Sequence, residues 1–251
     1  GQTLIAAGIW QKSDIVGETA DYLPSEAKWL QDSVTEFDPD NNKVKTAKNG
    51  DIAYDFLVVA TGLQLNYEEI NGLNKEIIGT NGIGSIYFAD GAEKTWKLMQ
   101  DFISKAQTGS KVEGVFTHPN TPIKCGGDPK KIMYLTHDRL VEAGARENAT
   151  LTFYPNGGKM FGVPEYHEAI TKQFIERDMK WKYKHNLISV DPTKRLATFE
   201  HHFLVKGEYD KDLEEYEMIP QVENVEVPYD FLHVTPPMSA PDVVQKSPLA
   251  W

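Results

Sequence analysis

The same run of sequence signals occurs twice in this chain, and this repetition constrains its fold more than any other feature. Residues 34–39 (Val-Thr-Glu-Phe-Asp-Pro) are echoed by residues 187–192 (Leu-Ile-Ser-Val-Asp-Pro). Residues 54–61 (Tyr-Asp-Phe-Leu-Val-Val-Ala-Thr) are echoed by residues 229–236 (Tyr-Asp-Phe-Leu-His-Val-Thr-Pro). Each copy indicates a strand, an Asp-Pro turn, a meander and a further strand. Similarity over so long a distance predicts two related modules rather than a solenoid.

The first copy carries clear strand and turn signals. Residues 29–37 alternate like a half-buried strand. An Asn-Gly pair at 49–50 lies between two short strand-like segments and predicts a hairpin. Residues 54–62 contain a continuous apolar run that ends in Thr-Gly, which predicts a strand buried on both faces of a parallel sheet. Residues 1–30 predict a short helix and a loop.

Helical and strand-like segments alternate between the two copies. Residues 71–92 are rich in glycine and predict a linker loop without regular structure. Periodicity then predicts helices at 93–104, 129–143 and 166–177, and strands at 111–117, 151–154 and 181–183. This alternation is typical of an α/β protein. We therefore expect two Rossmann-like dinucleotide-binding modules with three-stranded β-meander insertions, the first module being incomplete in this chain. The charged residues 206–217 predict a solvated loop within the second meander.

Composition excludes several classes of protein. The net charge of −11 disfavours binding to nucleic acid, whose phosphates would be repelled. A single cysteine in 251 residues excludes an internal disulfide. No apolar run approaches the length of a transmembrane helix. The first residues contain neither an initiator Met nor a basic region, so we expect no signal peptide and a chain that starts and stops within a longer protein.

The only cysteine, Cys125, follows a predicted strand and precedes a predicted helix. A dinucleotide-binding module normally has its phosphate-binding loop at this junction. The reactive form of a cysteine is the thiolate. Lys124 and the amino end of the helix that begins near Pro129 are both expected to favour the thiolate, because each brings positive charge. Gly126 and Gly127 leave room for a substrate, so Cys125 is the predicted catalytic residue.

Several segments together carry a resemblance to a known family. They are residues 117–127 (Thr-His-Pro-Asn-Thr-Pro-Ile-Lys-Cys-Gly-Gly), 131–135 (Lys-Ile-Met-Tyr-Leu), 157–166 and 233–242 (His-Val-Thr-Pro-Pro-Met-Ser-Ala-Pro-Asp). The chain resembles the middle part of the sulfide:quinone oxidoreductases, flavoproteins of the disulfide-reductase-like superfamily, in the branch that includes the mitochondrial enzymes. The resemblance implies FAD-dependent oxidation of sulfide to sulfane sulfur, held as a persulfide on cysteine, with the electrons passed to a membrane quinone.

The resemblance also implies roles for individual residues. Cys125 matches one of the family's two redox cysteines, and the second is expected downstream of this chain. The segment Ala60-Thr61-Gly62 matches the loop that approaches FAD, and Val34 matches the position whose backbone meets the adenine. The residues expected to bind the cofactor are Val34, Ala60, Thr61, Gly62, Pro122 and Lys124. We expect no metal site. Tight NAD binding is also not expected, because two prolines in the loop before Cys125 lack backbone N–H donors.

The resemblance further implies domain limits, partners and location. Residues 1–80 correspond to part of the FAD-binding domain, residues 81–235 to a second, NAD-like domain with the redox cysteine, and residues 236–251 to a return to the first. The expected partners are sulfide, a small sulfur acceptor, a quinone and, through segments outside this chain, a membrane surface. The expected location is the periphery of the mitochondrial inner membrane or the bacterial plasma membrane.

Other interpretations stay open at this point. The chain could be a non-catalytic or truncated flavoprotein fragment, an NADH:quinone dehydrogenase of the second type, or the flavoprotein of flavocytochrome c sulfide dehydrogenase. His118 and His233 are candidates for proton movement, although a structural role explains either of them at least as well.

Overall fold

The computed structural model describes residues 1–210 and 214–250. Residues 211–213, inside the charged segment expected to be a loop, and Trp251 lie outside the described part. The chain divides into two compact units. The larger unit contains Gly1–Ile15 and Asn66–Pro237, and the smaller unit contains Val16–Leu65 and Met238–Trp251. The domain limits expected at residues 80 and 235 stay a prediction.

The elements are numbered in chain order. The strands are β1 (Val34–Asp38), β2 (Lys43–Thr46), β3 (Gly50–Ala53), β4 (Gln64–Leu65), β5 (Ile83–Gly84), β6 (Val112–His118), β7 (Ala149–Pro155), β8 (Lys180–Trp181), β9 (His185–Asp191), β10 (Leu196–Asp210), β11 (Glu215–Pro228), β12 (Phe231–His233) and β13 (Met238–Ser239). The α-helices are α1 (Gln2–Ile5), α2 (Ala89–Gln107), α3 (Asp128–Glu142), α4 (Pro164–Glu176) and α5 (Asp242–Gln245). The short 3₁₀ turns are Lys12–Asp14, Thr19–Tyr22, Pro39–Asn41, Tyr67–Glu69 and Arg146–Asn148.

A five-stranded parallel sheet forms the core of the larger unit, with the order β5-β12-β6-β7-β8. Helices α2, α3 and α4 each connect one parallel strand to a later one, as the alternation in the sequence predicts. The core is aromatic where β6 and β12 pair: the rings of Phe102 and Phe116 lie 5.6 Å and 5.8 Å from that of Phe231. The predicted helices and the strands at β6, β7 and β8 are confirmed, with limits that differ by a few residues.

The loop predicted at residues 71–92 is wrong at two places, residues 83–84 and 89–92. Strand β5 lies on the edge of the sheet, and α2 already begins at Ala89. The glycines mark a close approach of two backbones rather than a flexible segment. Gly82 has φ of +80°, and a Cβ there would lie 2.3 Å from the carbonyl oxygen of Asp230. The missing side chain lets β5 pair with β12.

Each unit contains an antiparallel three-stranded meander, as the repeat predicts. In the smaller unit the order is β1-β2-β3, and the hairpin predicted at 49–50 is confirmed by the pairing of Thr46 with Gly50. The backbone N–H groups of Lys48 and Asn49 donate to the carboxylate of Asp32, which holds this turn. Of the strand expected at 29–37, only the segment from Val34 onward is a strand.

The second meander has the order β11-β10-β9 in the larger unit. The loop predicted at residues 206–217 is wrong for the described residues of that segment. Strands β10 and β11 are 15 and 14 residues long, and their pairing continues to Asp210 and Glu215. Apolar residues that alternate with the acids, such as Tyr216 and Met218, support strand structure where charge alone suggested a loop.

The strand predicted at residues 54–62 is also wrong. No strand is assigned there, and Phe56 and Val58 are 84 % and 74 % exposed. A strand needs a neighbour to accept its backbone hydrogen bonds, and the part of the chain that the structure describes supplies none to residues 55–62. The apolar run therefore shows that this segment would need partner strands to form a strand, and the described residues do not provide them.

No helix in the described ranges is both long and apolar enough to span a bilayer.

Candidate active site around Cys125

The candidate site lies at the carboxyl end of strand β6, where open α/β sheets bind their ligands. Strand β6 ends at His118, and the following loop leads into α3 at Asp128. The hydroxyl of Thr117 joins β6 to the end of β12, since it donates to the carbonyl of His233 at 3.3 Å and accepts from the N–H of Thr235 at 3.0 Å. The loop is thus attached to a rigid edge of the sheet.

Cys125 has an unusual backbone conformation at this junction. Its side chain is exposed, and its φ of 58° lies in the left-handed region that non-glycine residues rarely adopt. The backbone N–H of Asp128 donates to its carbonyl at 2.9 Å and closes the turn that starts α3. Such a conformation costs about 1–3 kcal/mol and is found most often at functional sites. The local structure therefore orients the thiol at a cost in stability.

The cation beside the sulfur is Lys131. Its Nζ lies 3.2 Å from Sγ of Cys125 and 2.9 Å from Oδ1 of Asp128. The hydrogen bonds to Asp128 and then to Cys125 raise the pKa of Lys131, so its ammonium is charged at neutral pH. A fixed positive charge at this distance stabilises negative charge that develops on the sulfur during a reaction. Lys131 is not among the residues predicted from the sequence, where the side-chain cation expected beside the thiol is Lys124, which is exposed.

The neighbouring Lys130 points in another direction and is only 4 % exposed. Its Nζ donates to the carbonyl of Gly126 at 2.8 Å and lies 5.1 Å and 5.7 Å from the ring centres of Phe153 and Phe161. Burial lowers the pKa of Lys130 to about 8, while the nearby Cys125 acts in the opposite direction. The first turn of α3 thus has one lysine at the sulfur and another beneath the loop.

A cavity of about 620 Å³ opens beside Lys130, at the carboxyl ends of β6 and β7. It is lined by His118, Gly126, Lys130, Phe153, Pro155, Gly157, Gly158, Lys159, Met160, Phe161 and Gly162. Burial lowers the pKa of His118, and the hydrogen bond of its ring to the carbonyl of Pro119 opposes this shift. Apart from His118, Lys130 and Lys159, the walls of this cavity are mostly apolar side chains or glycine backbone. The cavity is therefore suited to a small ligand close to the cysteine loop.

His233 and Tyr87 lie buried behind this loop. His233 is fully buried and stacks on Phe116 with 6.1 Å between ring centres. Burial lowers its pKa to about 3, so the ring is neutral at physiological pH. Burial also raises the pKa of Tyr87, whose hydroxyl is near Thr235 and within the electrostatic reach of Cys125. The roles in proton movement suggested for His118 and His233 stay predictions.

The residues expected to bind FAD fall into two groups. Val34 and the segment Ala60-Thr61-Gly62 belong to the smaller unit, whereas Pro122 and Lys124 are exposed in the cysteine loop of the larger unit. Gly62 has φ of +75°, and no atom lies within 4 Å of the position that a Cβ would take. Its exposed backbone and this open space fit the approach of a cofactor to the loop.

A second cavity, of about 530 Å³, lies within the smaller unit between β1 and α5. The cavity is lined by Thr35, Glu36, Phe37, Asp242, Val243, Lys246, Ser247 and Pro248. Thr35 is the residue that follows Val34 in the chain. The position of the cavity next to Val34 is compatible with the adenine role implied for that residue. The described residues contain no cluster of three or more His, Cys, Asp or Glu side chains that could hold a metal ion.

Comparison with known proteins decides the family. No family model matches the chain. The chain is 42 % identical over 248 residues to the mitochondrial sulfide:quinone oxidoreductase of Mus musculus, and the match covers 99 % of this chain and 50 % of the mouse protein. It is 38 % identical to the corresponding protein of Dictyostelium discoideum, covering 99 % of this chain and 49 % of that protein. This chain belongs to the sulfide:quinone oxidoreductase family.

The fold agrees with this assignment to the sulfide:quinone oxidoreductases. The crystal structure of the sulfide:quinone oxidoreductase of Aquifex aeolicus matches 97 % of this chain with a TM-score of 0.72 and 22 % identity. The match covers 50 % of that bacterial chain. The α/β class with Rossmann-like modules is confirmed. The chain spans about half the length of the curated sulfide:quinone oxidoreductases that it matches.

Proposed function

We propose that this chain forms the sulfur-handling part of an FAD-dependent sulfide:quinone oxidoreductase. One observation carries the proposal: the exposed Sγ of Cys125 lies 3.2 Å from the ammonium of Lys131, at the ligand-binding edge of a parallel sheet. The relatives named above are enzymes of sulfide and quinone. A cation beside the sulfur stabilises the anionic sulfur that forms during thiol–disulfide exchange.

The first chemical step uses Cys125 as one member of a disulfide. A hydrosulfide ion attacks the sulfur of the second cysteine, a new S–S bond forms there, the old S–S bond breaks, and Cys125 leaves as a thiolate. The second cysteine then carries the persulfide. Since the chain contains one cysteine, the second sulfur belongs to a residue outside these 251. Lys131 stabilises the negative charge that this step leaves on Cys125, and the glycines after Cys125 leave room for the partner sulfur.

Bound FAD supplies a two-electron acceptor that passes its electrons to a quinone. Val34, Ala60, Thr61 and Gly62 are proposed to hold it from the smaller unit. Pro122 and Lys124 are proposed to contact it from the cysteine loop. The sulfane sulfur leaves to a small acceptor.

We also propose that NAD(P)H does not bind tightly. In the cysteine loop Pro119 and Pro122 have no N–H to offer a pyrophosphate, and the ammonium of Lys130 is already bound to the Gly126 carbonyl. Because the two relatives described above are named as mitochondrial, the proposed location is the periphery of the mitochondrial inner membrane.

The visible spectrum of the purified protein that carries this chain tests the cofactor and the reaction together. A flavin absorption band that bleaches on addition of sulfide, and returns on addition of a quinone, is expected. A colourless protein would instead support the non-catalytic fragment. Bleaching by NADH but not by sulfide would support an NADH:quinone dehydrogenase, and electron transfer to a cytochrome but not to quinone would support the flavocytochrome type.

Two substitutions test the site itself. Cys125→Ser is expected to lower sulfide-dependent quinone reduction by orders of magnitude while the flavin spectrum is retained. Lys131→Gln is expected to reduce the rate less, because the sulfur loses the cation that is hydrogen-bonded to it. Lys131→Arg, which keeps the charge, serves as the matched control. Wild-type rates in Cys125→Ser would remove this residue from the mechanism.

A further inference from the structure

The hairpin of the second meander is far longer than that of the first, although both follow the same plan. Strands β2 and β3 have 4 residues each, whereas β10 and β11 have 15 and 14. Strand β9 pairs only with Leu196–His201 of β10. Beyond that point the ladder consists of two strands, and we call residues 203–210 and 214–222 the arm. The arm therefore extends beyond the three-stranded part of the second meander.

Apolar side chains are exposed on both faces of the arm. One face carries Leu204, Met218 and Val222, which are 58 %, 47 % and 52 % exposed. Nearer the end of the ribbon this face also carries the exposed rings of Tyr209 and Tyr216, which lie 5.0 Å apart. The other face carries the paired residues Val205 and Ile219. The usual sheet buries one face and solvates the other. An isolated two-stranded ribbon is only marginally stable in water, so exposed apolar residues on both faces mark an interaction surface.

The charge of the arm decides which kind of surface can cover it. Of the side chains that the structure describes between residues 206 and 218, four are exposed acids: Glu208, Glu214, Glu215 and Glu217. The base among these described side chains is Lys206. An anionic membrane surface would be repelled by this cluster. A second copy of the chain, with its net charge of −11, would be repelled as well. A basic surface would be attracted, and the attraction would accelerate its association.

We propose that the arm is a docking site for a protein partner whose surface has basic residues around an apolar patch. The apolar side chains of β10 and β11 supply the area that is buried, and the acids near the tip select the sign of the partner's charge. A β-bulge between Lys206 and Tyr209 increases the local twist of the ribbon, and Nζ of Lys206 lies 4.6 Å from the ring centre of Tyr216. The ribbon between Lys206 and Tyr216 is therefore twisted and carries a cation–ring contact on its surface. This proposal is independent of the chemistry at Cys125.

Site-specific photocrosslinking in the organism's own cells tests the proposal. A benzophenone amino acid replaces Leu204 or Val222 on the arm, and Val141 on α3, which is also 52 % exposed, serves as the control position. The expected result is one discrete adduct from both arm positions, absent at Val141, with a protein whose pI is above about 9. Adducts with a second copy of the chain, with lipid or with an acidic protein, or the absence of any adduct, would overturn the proposal.

A second experiment measures the affinity between this protein and the purified partner that the crosslinking identifies. A charge variant (Glu214→Gln, Glu215→Gln, Glu217→Gln) and an apolar variant (Leu204→Ser, Met218→Ser, Val222→Ser) change only exposed positions, so the fold should survive in both. Each is expected to weaken binding by at least about tenfold, the first variant mainly through a slower association rate. Sulfide-dependent activity should be unchanged in both. Unchanged affinity in both variants would show that the arm is not the docking site.

Discussion

Two segments with nearly the same sequence have opposite structural outcomes in this molecule. Residues 54–59 (Tyr-Asp-Phe-Leu-Val-Val) are without strand structure and mostly exposed, whereas residues 229–234 (Tyr-Asp-Phe-Leu-His-Val) include strand β12, which lies between β5 and β6. Phe231, Leu232 and Val234 are fully buried. The backbone N–H groups of Leu232 and Val234 donate to the carbonyls of Gly82 and Gly84, both at 2.8 Å.

The difference shows that an apolar run of this type does not form a strand without neighbours. Burial of a large apolar side chain contributes about 1.5–3 kcal/mol relative to exposure. Strand β12 gains this contribution from β5 and β6 on its two sides and from Phe102 of α2. The segment at 54–59 has the same side chains and, within the described residues, no strand beside it. The contribution of each apolar residue to stability is therefore set by the residues that surround it.

The largest expected difference between the two segments is at their shared phenylalanine. Phe231→Ala removes a fully buried ring and should lower the free energy of unfolding by about 3–5 kcal/mol. Phe56→Ala removes a ring that is 84 % exposed and should change it by less than about 0.5 kcal/mol. Urea titrations followed by circular dichroism measure both. Similar losses in the two variants would mean that residues 54–59 are packed in solution.

The second comparison concerns two glycines with similar backbone angles. Gly82 has φ of +80° and faces the carbonyl of Asp230, whereas Gly62, with φ of +75°, faces open space. Gly62→Ala should cost about 1 kcal/mol, the strain of a left-handed alanine. Gly82→Ala adds a clash at 2.3 Å with backbone, which must separate β5 from β12, and should cost about 3 kcal/mol. Thermal unfolding compares the variants, and equal costs would contradict the close approach of β5 to β12.

The third comparison concerns the one position at which residues 54–59 and 229–234 differ, and it gives the second segment the residue of the first. His233 occupies the position that Val58 has in the first copy, and burial holds its pKa at about 3. The unfolded chain binds this proton near pH 6.5, so stability from the neutral ring is complete above that pH and is lost as the pH falls. Between pH 7 and pH 5 the wild type should lose about 2 kcal/mol through this group.

His233→Val should remove this component of the acid sensitivity. The other histidines titrate alike in wild type and variant, so the difference between the two urea midpoints at pH 7 and pH 5 isolates His233. The valine fits an environment that already contains Phe116, and it replaces a ring for whose nitrogens the described residues supply no hydrogen-bond partner. The same pH dependence in both proteins would show that His233 is protonated, or accessible to water, in the folded state.

Local patterns explain which elements could be predicted from the sequence. Helices α2, α3 and α4 have apolar residues at helical spacing, and β6 and β7 are short apolar runs between them. The hairpin at Asn49-Gly50 follows from the turn residues alone. The predictions at residues 71–92 and 54–62 were wrong because the structure of both segments depends on residues that are distant in the sequence. Strand β5 forms because Gly82 approaches Asp230, and residues 54–62 lack the neighbouring strands that an apolar strand requires.

The candidate site shows the same limit. The position of Cys125 between a strand and a helix could be predicted, because both elements have local signals. The proximity of Lys131 to the sulfur could not, since it depends on the left-handed backbone of Cys125 and on the first turn of α3. The spacing of Asp128 and Lys131, three residues apart at the start of a predicted helix, was the available signal.

The smallest expected difference concerns the aspartate that both copies share. Asp230 accepts a hydrogen bond from the N–H of Glu113 at 2.9 Å and pairs with Lys105, whereas Asp55 is exposed. Asp230→Ala leaves the Glu113 N–H without its acceptor and should cost about 1 kcal/mol, against less than about 0.5 kcal/mol for Asp55→Ala. Asp230→Asn keeps an acceptor oxygen and should recover part of the loss. Because Lys105 is half exposed, added salt should weaken only the ion-pair component. Equal stability of Asp230→Ala and Asp55→Ala would mean that the buried setting of the second copy adds nothing to this residue, and that the contrast between the copies is confined to their apolar side chains.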